Sequence, residues 1–456
     1  MATAEAQGGA KTAAGRPTQL KRPPGGGRSW SAFLFLLPAL IALGGLVVYP
    51  TIDTFAQSFQ ADDTRQWVGL DNYQEIVESA RIRTAVINTA IWVVIAPVLI
   101  TGLGLIVAVL TERVSYSGAI KTILFMPMAI SALAVGVIWR GVYDPDPAIG
   151  LANAAVGRAA DAVNPPGHYP DATIPPEAPL VKDEGGAITT RETFSAGEVA
   201  QIGVVGIPEP TGAQEATTSP DVGEGNAAVL VWRDFSPTGG KTGEVDPKEL
   251  ALADASVALL DDNGEQVATA TTDDNGIAMF EDVGEGQFKA SLTTANFDRG
   301  FTGVDWLGSK EMTPLGYPHL VTLAIIFAFI WMQLGFAIVV IGSGLSALPR
   351  DLLEAARVDG ATEGQVFRHI TFPLLRPVLI VVFVTLTINV LKIFDIVYVL
   401  APIAVQDEAN VIALEMWKSS FAARQFGVGA AVAVLLFLLV LPIMFFNLKR
   451  FRREGN

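Results

Sequence analysis

The sequence predicts an all-α polytopic membrane domain of six helices with a β-sandwich inserted between the third and the fourth. Three observations predict it. Half of the 456 residues are hydrophobic, and mean hydropathy is +0.41. Six apolar runs are long enough to cross a bilayer, at about 32–50, 85–110, 119–139, 318–345, 377–400 and 427–447. Between the third and fourth, residues 143–316 carry 29 Asp and Glu against 9 Lys and Arg. That block is net −20 in a chain that totals −15, so the remainder is net +5.

A helix needs about 20 apolar residues to cross the hydrocarbon core. Its backbone hydrogen bonds are internal, which is why helices are the expected spanning form. A soluble core with six such runs would lack polar surface. Residues 1–30 read as a disordered basic segment, with Pro23-Pro24 and Gly25-Gly26-Gly27 ahead of the first span. That span is a retained anchor, because it is long and no small-residue cleavage site closely follows. Residues 31–142 then hold spans one to three, and 306–456 hold spans four to six.

Basic flanks set the orientation. Lys11, Arg16, Lys21, Arg22, Arg28, Arg113, Lys121, Arg350, Arg357, Arg368, Arg376, Lys449, Arg450, Arg452 and Arg453 fall on one side. Only Arg65, Arg81, Arg83, Lys418 and Arg424 fall in the short loops opposite. Both termini are therefore expected in the cytoplasm, and 143–316 outside it.

Composition also excludes classes of function. An acidic chain does not suit a nucleic-acid partner. Without cysteine there are no disulfides or thiolate sites. His168, His319 and His369 are far apart, so no local metal motif is expected.

The insertion reads in two parts. Residues 143–225 are rich in Pro, Gly and acid and are expected as linker, with a strand near Ile202–Ile207. Residues 226–305 are expected as the β-sandwich, since short strands alternate with Asp261-Asp262-Asn263-Gly264 and Asp273-Asp274-Asn275-Gly276 turns. These turns lack the alternating ligand spacing of a Ca²⁺ loop, so plain turn chemistry is expected. Gly240-Lys241-Thr242 imitates the end of a phosphate loop, but Phe235 stands where that motif needs glycine.

The loop 347–373 is the most specific segment. Arg350–Val358 has small and apolar residues at helical spacing, and Gly360 can end that helix in a left-handed conformation. Gln365–Ile370 is expected to form a second short helix, with Pro373 stopping the loop before the next span. Two short helices joined at a glycine make a compact knob. Ala355 and Ala356 permit close approach, and Glu354 offers a charge to an arginine on another surface.

The spacing E-A-A, three residues, G, nine residues, I-x-x-P, carried by Glu354, Ala355, Ala356, Gly360, Ile370 and Pro373, resembles the signature of membrane subunits of binding-protein-dependent ABC importers. Phe372 stands where leucine is usual. The resemblance implies a type I importer permease fold, with Glu354, Ala355, Ala356, Asp359, Gly360, Ala361, Ile370 and Pro373 engaging an ATPase. Trp67–Tyr73 and Val411–Phe421 are similar to sugar-importer subunits, with a departure at Ala401–Val405. The pattern of 256–290 resembles prealbumin-like repeats of bacterial surface proteins, an Ig-like sandwich.

The implied partners are a second permease, two ATPase subunits, an extracytoplasmic sugar-binding protein and membrane lipid. No cofactor is expected in this chain; ATP and Mg²⁺ belong to the partners, and the chain is not itself an enzyme. The implied location is a bacterial inner membrane. A di- or oligosaccharide is the expected solute, with glycerol phosphate as an alternative and a surface receptor or adhesin as another. Polar groups inside a span face a cavity or another helix. Asn389, Lys392, Phe394, Asp395 and Tyr398 lie where related importers line the sugar path, with Lys392 and Asp395 spaced to pair. Packing between helices remains the alternative for them.

Overall fold

The computed structural model describes residues 28–454, apart from 63, 113, 115, 211, 218–219, 224, 236–239 and 315. Most of the segment expected to be disordered, residues 1–27, lies outside the described residues.

The first span is α1 (Arg28–Leu43), a π-helical turn at Gly44–Val48 and α2 (Tyr49–Gln57). After α3 (Asp71–Glu78) and α4 (Ala80–Glu112) come α5 (Ser117–Phe125), a 3-10 turn and α6 (Ala132–Val142). The run at 119–139, expected as one straight span, is a pair of helices bent by 101°. Two local features make the bend. Pro127 lacks an amide hydrogen to continue the ladder. Ser131 is extended (ψ 146) and caps α6, its Oγ accepting from Ala134 N at 3.3 Å.

Next comes α7 (Leu151–Val163), then ten strands: β1 (Leu180–Lys182), β2 (Ile188–Thr190), β3 (Phe194–Ser195), β4 (Val199–Val204), β5 (Ala227–Arg233), β6 (Leu250–Ala251), β7 (Ser256–Leu260), β8 (Gln266–Thr271), β9 (Ile277–Phe280) and β10 (Gln287–Leu292). The remaining helices are α8 (Leu320–Ser346), α9 (Arg350–Val358), α10 (Glu363–Val366), α11 (Phe372–Leu391), α12 (Asp395–Leu400), α13 (Ile412–Trp417) and α14 (Phe426–Glu454). Among the described residues, four stretches are long and apolar enough to cross a membrane: Phe33–Gln57, Ala80–Glu112, Leu320–Ser346 and Glu363–Leu391.

Two compact units divide the chain. The described residues up to 86 and from 412 onward form the first. Its core is Ile82, Ile412, Val428 and Val432. Asn72 Nδ2 donates to Ser58 O and Gln60 O, both at 2.9 Å, and Gly427 N donates to Asp62 Oδ1 at 2.8 Å. Arg81 Nη2 lies 3.0 Å from Glu415 Oε1, and the Glu415 side chain is fully buried.

Residues 87–411 form the second unit. Its helices approach at glycines. A Cβ on Gly335 would lie 2.2 Å from Leu124 O and 2.6 Å from Phe125 Cα, so α8 and α5 touch backbone to backbone. The strands make two sheets. One runs β1-β2-β10-β7-β8 with β3 also on β10; the other runs β4-β5-β6 with β9 also on β5. All pairings are antiparallel except β4 with β5. Side chains of both sheets share one core, including Ile188, Ile202, Val229, Val231, Val257, Leu259, Phe288 and Leu292.

The stretch 143–225 is therefore not linker. It holds α7 and the first four strands. These strands are two to six residues long, and β2 pairs with β10 at Thr189↔Ser291, far along the chain. β4 overlaps the strand expected near Ile202–Ile207, and no local alternation announces β1 to β3. The two Asn-Gly turns close by side-chain hydrogen bonds to backbone. Asp261 Oδ1 accepts from Asn263 N and Glu265 N; Asp273 Oδ1 accepts from Asn275 N and Ile277 N. Gly264 and Gly276 take φ of +81° and +72°. Lys241 pairs with Glu244 at 3.3 Å in a surface turn.

Candidate coupling loop and translocation path

The knob begins at α9. Its end is a Schellman closure: Gly360 N donates to Arg357 O at 3.1 Å and Ala361 N to Ala356 O at 3.0 Å. Gly360 has φ +86°, and nothing lies within 4 Å of where its Cβ would be. Backbone freedom, not space, is what the glycine supplies. Thr362 and Gln365 then form a capping box for α10, with Gln365 Oε1 accepting from Thr362 N at 2.8 Å. Arg357 forks onto Glu363, Nε to Oε1 at 2.8 Å and Nη2 to Oε2 at 3.4 Å, and ties α9 to α10 across the elbow. That pair, hydrogen bond first and charge second, raises the Arg357 guanidinium further above its ordinary value.

The second helix is not a separate short piece. A π-helical turn at Phe367–Thr371 joins α10 to α11, giving one helix from Glu363 to Leu391. Pro373 sits inside it and does not stop the loop. The widened turn lies at residues 367–371, where the proline ring would otherwise press on the carbonyl four residues back.

Glu354, Ala355, Asp359, Gly360 and Pro373 are exposed, while Ala356, Ala361 and Ile370 are half-buried. Leu352 and Val358 are exposed too, Val358 at 86 %. An apolar residue presented so fully, beside small alanines and carboxylates, makes a surface fit for a protein partner. Beside the knob is an open groove of about 650 Å³, lined by Glu112, Leu345, Leu353, Glu354, Arg357 and Phe367 among others.

The five residues expected on the translocation path share one region but not one helix. α11 ends at Leu391, Lys392 caps it at φ −96°, and Phe394 (φ −136°, ψ −61°) precedes α12. The span expected over 377–400 is thus broken, and Lys392 and Asp395 lose the helical spacing that was to pair them. No ion pair joins them among the described residues. Lys392, Asp395 and Tyr398 are exposed; Asn389 and Phe394 are half-buried. The Phe394 and Tyr398 rings stack at 5.5 Å and 10°. Thr387 turns back to Phe383 O at 2.8 Å, so it serves its own helix. Asn88 Nδ2 donates to Glu408 O at 2.7 Å and Asn410 O at 2.9 Å, pinning the loop after α12.

Sequence reasoning missed two side chains. Asn153, fully buried, is one. Its Nδ2 donates to Asp144 O (2.7 Å), Pro145 O (3.3 Å) and Val304 O (2.9 Å), and its Oδ1 accepts from Val304 N (2.9 Å) and Trp306 Nε1 (3.0 Å). The segment leaving α6 and the segment returning to α8 are thereby tied at one amide. Glu415 is the other. Only its place in a resembling segment marked it, and no local signal announces Arg81 as its partner.

Residues 291–453 match the family model described as the binding-protein-dependent transport system inner membrane component. A putative ABC transporter permease protein of Caldicellulosiruptor sp. is 32 % identical over 123 residues, 27 % of this chain and 88 % of that protein. The chain belongs to this family of transporter membrane components. The matched range takes in the knob and α8 to α13 with most of α14. Two relatives extend over the insertion as well. An osmoprotective compounds uptake permease protein of Synechocystis sp. is 26 % identical over 421 residues, covering 92 % of this chain and 99 % of that protein. An alpha-glucoside transport system permease protein of Rhizobium meliloti is 26 % identical over 430 residues, covering 94 % and 84 %. A chain of a bacterial ABC transporter that imports the acidic polysaccharide alginate has a similar fold, with TM-score 0.54 at 15 % identity over 94 % of this chain and 97 % of that one. The membrane component is thus a multi-pass transporter subunit of the ABC importer class, not an enzyme.

Proposed function

We propose that this permease carries a di- or oligosaccharide delivered by an external binding protein, and that ATP closure in partner ATPases drives it through the knob at 347–373. The single observation that supports this most is the knob itself. Its exposed Glu354, Ala355, Leu352 and Val358 face outward from a structure stiffened by the Schellman closure and the Arg357–Glu363 fork. In this reading Glu354, Ala355, Ala356, Asp359, Gly360, Ala361, Ile370 and Pro373 transmit the motion. A second permease completes the pore, two ATPase subunits hold ATP and Mg²⁺, and six spans cross the membrane with both termini in the cytoplasm. The bent pair α5–α6 and the apolar Phe426–Pro442 stretch supply the spans beyond the four long ones. The two-sheet block, as an Ig-like sandwich outside the membrane, helps hold the binding protein over the pore. The alpha-glucoside relative and the stacked Phe394–Tyr398 rings support a sugar, whose C–H faces suit aromatic rings while Asn389, Lys392 and Asp395 meet hydroxyls.

Substituting Glu354 and Gly360 together is expected to abolish solute uptake while the complex still assembles with its ATPases. Full uptake by that variant sinks the proposal. The Synechocystis relative favours a second reading, a small osmoprotective solute. Competition of binding-protein-dependent uptake by oligosaccharide and by osmolyte separates the two.

A further inference from the structure

Helix α7 is amphipathic in the wrong sense for a soluble domain. Its buried residues are Asn153 and Gly157, and Asp161 is half-buried beside them. A Cβ on Gly157 would meet the Phe301 ring at 3.0 Å, and Asp161 Oδ1 accepts from Phe301 N at 3.1 Å. The polar face is therefore the one turned inward, onto residues 301–306. The outward face carries Leu151, Ala155, Val156, Ala159, Ala162 and Val163, all exposed, with Leu151 at 67 % and Val163 at 87 %. At 100° per residue these positions fill one continuous arc of the helix, and Ile149 (69 % exposed) extends it at the N-terminal end. Arg158 is the one charge on the exposed side, at the edge of the arc.

An apolar face turned to water over the whole length of a helix implies something apolar against it. Its place in the chain says what. Only eight residues separate α7 from Val142, the end of the spanning half-helix α6. The Asn153 amide bonds hold α7 to 144–145 on the way out of the membrane and to 304–306 on the way back. Trp306 and Tyr143, rings 6.2 Å apart, stand at the same level, and Tyr143 OH donates to Ala324 O of α8 at 2.9 Å. Aromatic residues of this kind favour the membrane–water boundary. On α6 itself Leu133, Val137 and Ile138 are exposed as well.

We propose that α7 is an interfacial helix that lies on the outer leaflet, with Leu151, Ala155, Val156, Ala159 and Val163 among the acyl chains and Arg158 reaching the headgroups. It would fix the height of the two-sheet block above the bilayer. The inference rests on the membrane location of α6 and α8 and, for the choice of leaflet, on the orientation proposed above, not on which solute is carried or how the knob works.

The chain has no cysteine, so each single-cysteine variant, labelled before it is assembled with its partners, carries one label site. L151C, A155C and V163C, each nitroxide-labelled in the assembled transporter in phosphatidylcholine–phosphatidylglycerol nanodiscs, are compared with T269C on the exposed strand β8. Oxygen collisions are expected to exceed those of the water-soluble nickel chelate NiEDDA at 151, 155 and 163, and the order to reverse at 269. Chelate-dominated collisions at 151 and 163 overturn the proposal, because the face is then in water. Exclusion of both reagents also overturns it, because a protein partner then covers the helix. The brominated-lipid quenching that L151W adds over the parent chain, with its eight native tryptophans, gives the same answer should a label disturb the fold, and no added quenching rejects the interfacial helix.

Discussion

Replacing Arg81 by methionine isolates the energetics of a buried carboxylate. Glu415 is fully buried; its Oε1 lies 3.0 Å from Arg81 Nη2 and accepts from Ser419 Oγ at 2.8 Å. At an effective dielectric constant of about 20, a charge pair at that distance attracts by roughly 5 kcal/mol. Removing one member of a buried pair costs about 3–5 kcal/mol, since the remaining ion keeps its desolvation penalty. Arg81 is itself 34 % exposed, so water enters part of the vacated space. The expected loss is therefore near the lower end, about 3 kcal/mol, or more than a hundredfold in the folding equilibrium. Adding E415Q removes the buried charge and leaves an oxygen for Ser419, and about 2 kcal/mol should return. The assay is denaturant titration of the purified whole chain in mixed micelles, read by tryptophan fluorescence. A loss under about 1 kcal/mol for R81M, or a double variant no better than R81M, refutes the reasoning.

At Gly360 only the backbone is strained by a side chain, so G360A should cost about 1–2 kcal/mol of knob stability, and G360N less; uptake should rank Gly, Asn, Ala. N153A strands the Val304 amide and the Trp306 indole N–H, each at about 1–3 kcal/mol, and should speed hydrogen exchange at 304; N153D keeps the accepting oxygen but sets its other carboxylate oxygen against the carbonyls of Asp144, Pro145 and Val304, so it should not rescue the loss. Burial raises the Glu249 carboxyl above the usual carboxylate range against the Asp246 N–H that lowers it, and Asp234 and Asp246 add to the rise. A raised folded value means that Glu249 contributes stability below the unfolded value of about 4, and that this contribution is lost as pH rises through the folded value. E249Q, whose oxygen still accepts from Asp246, should therefore raise the melting temperature of the two-sheet block at pH 7 and flatten its rise toward pH 5. Asp261 is shifted the other way, chiefly by the Glu265 N–H, and its contribution is lost as pH falls.

What was legible in the sequence was local. The knob could be read because helix, Schellman glycine and capping box are written within a dozen residues. Strands β7 to β10 could be read because Asn-Gly turns separate them at short range. The rest depends on distant partners. β1 to β3 exist through pairings such as Thr189 with Ser291. Asn153 looks like any helix asparagine until Val304 and Trp306 arrive beside it. The bend in the third span and the break after Leu391 are invisible to hydropathy, which measures how apolar a run is and not where its hydrogen bonds stop. Pro127, Ser131 and Lys392 were the available signals. Pro373 misled in the other direction, because a π turn absorbed it.

The tie at Asn153 makes the inserted block a cassette. Asp144 and Val304 both hydrogen-bond to one side chain, so the two ends of everything between them almost coincide. A segment whose ends meet can be lengthened, exchanged or cut out with little demand on its host, because loop closure is already satisfied at the base. Junctions placed just inside 144 and 304, with Asn153 retained on a shortened α7, mark where a relative's block can be grafted onto this membrane domain, or where a short hairpin can replace it.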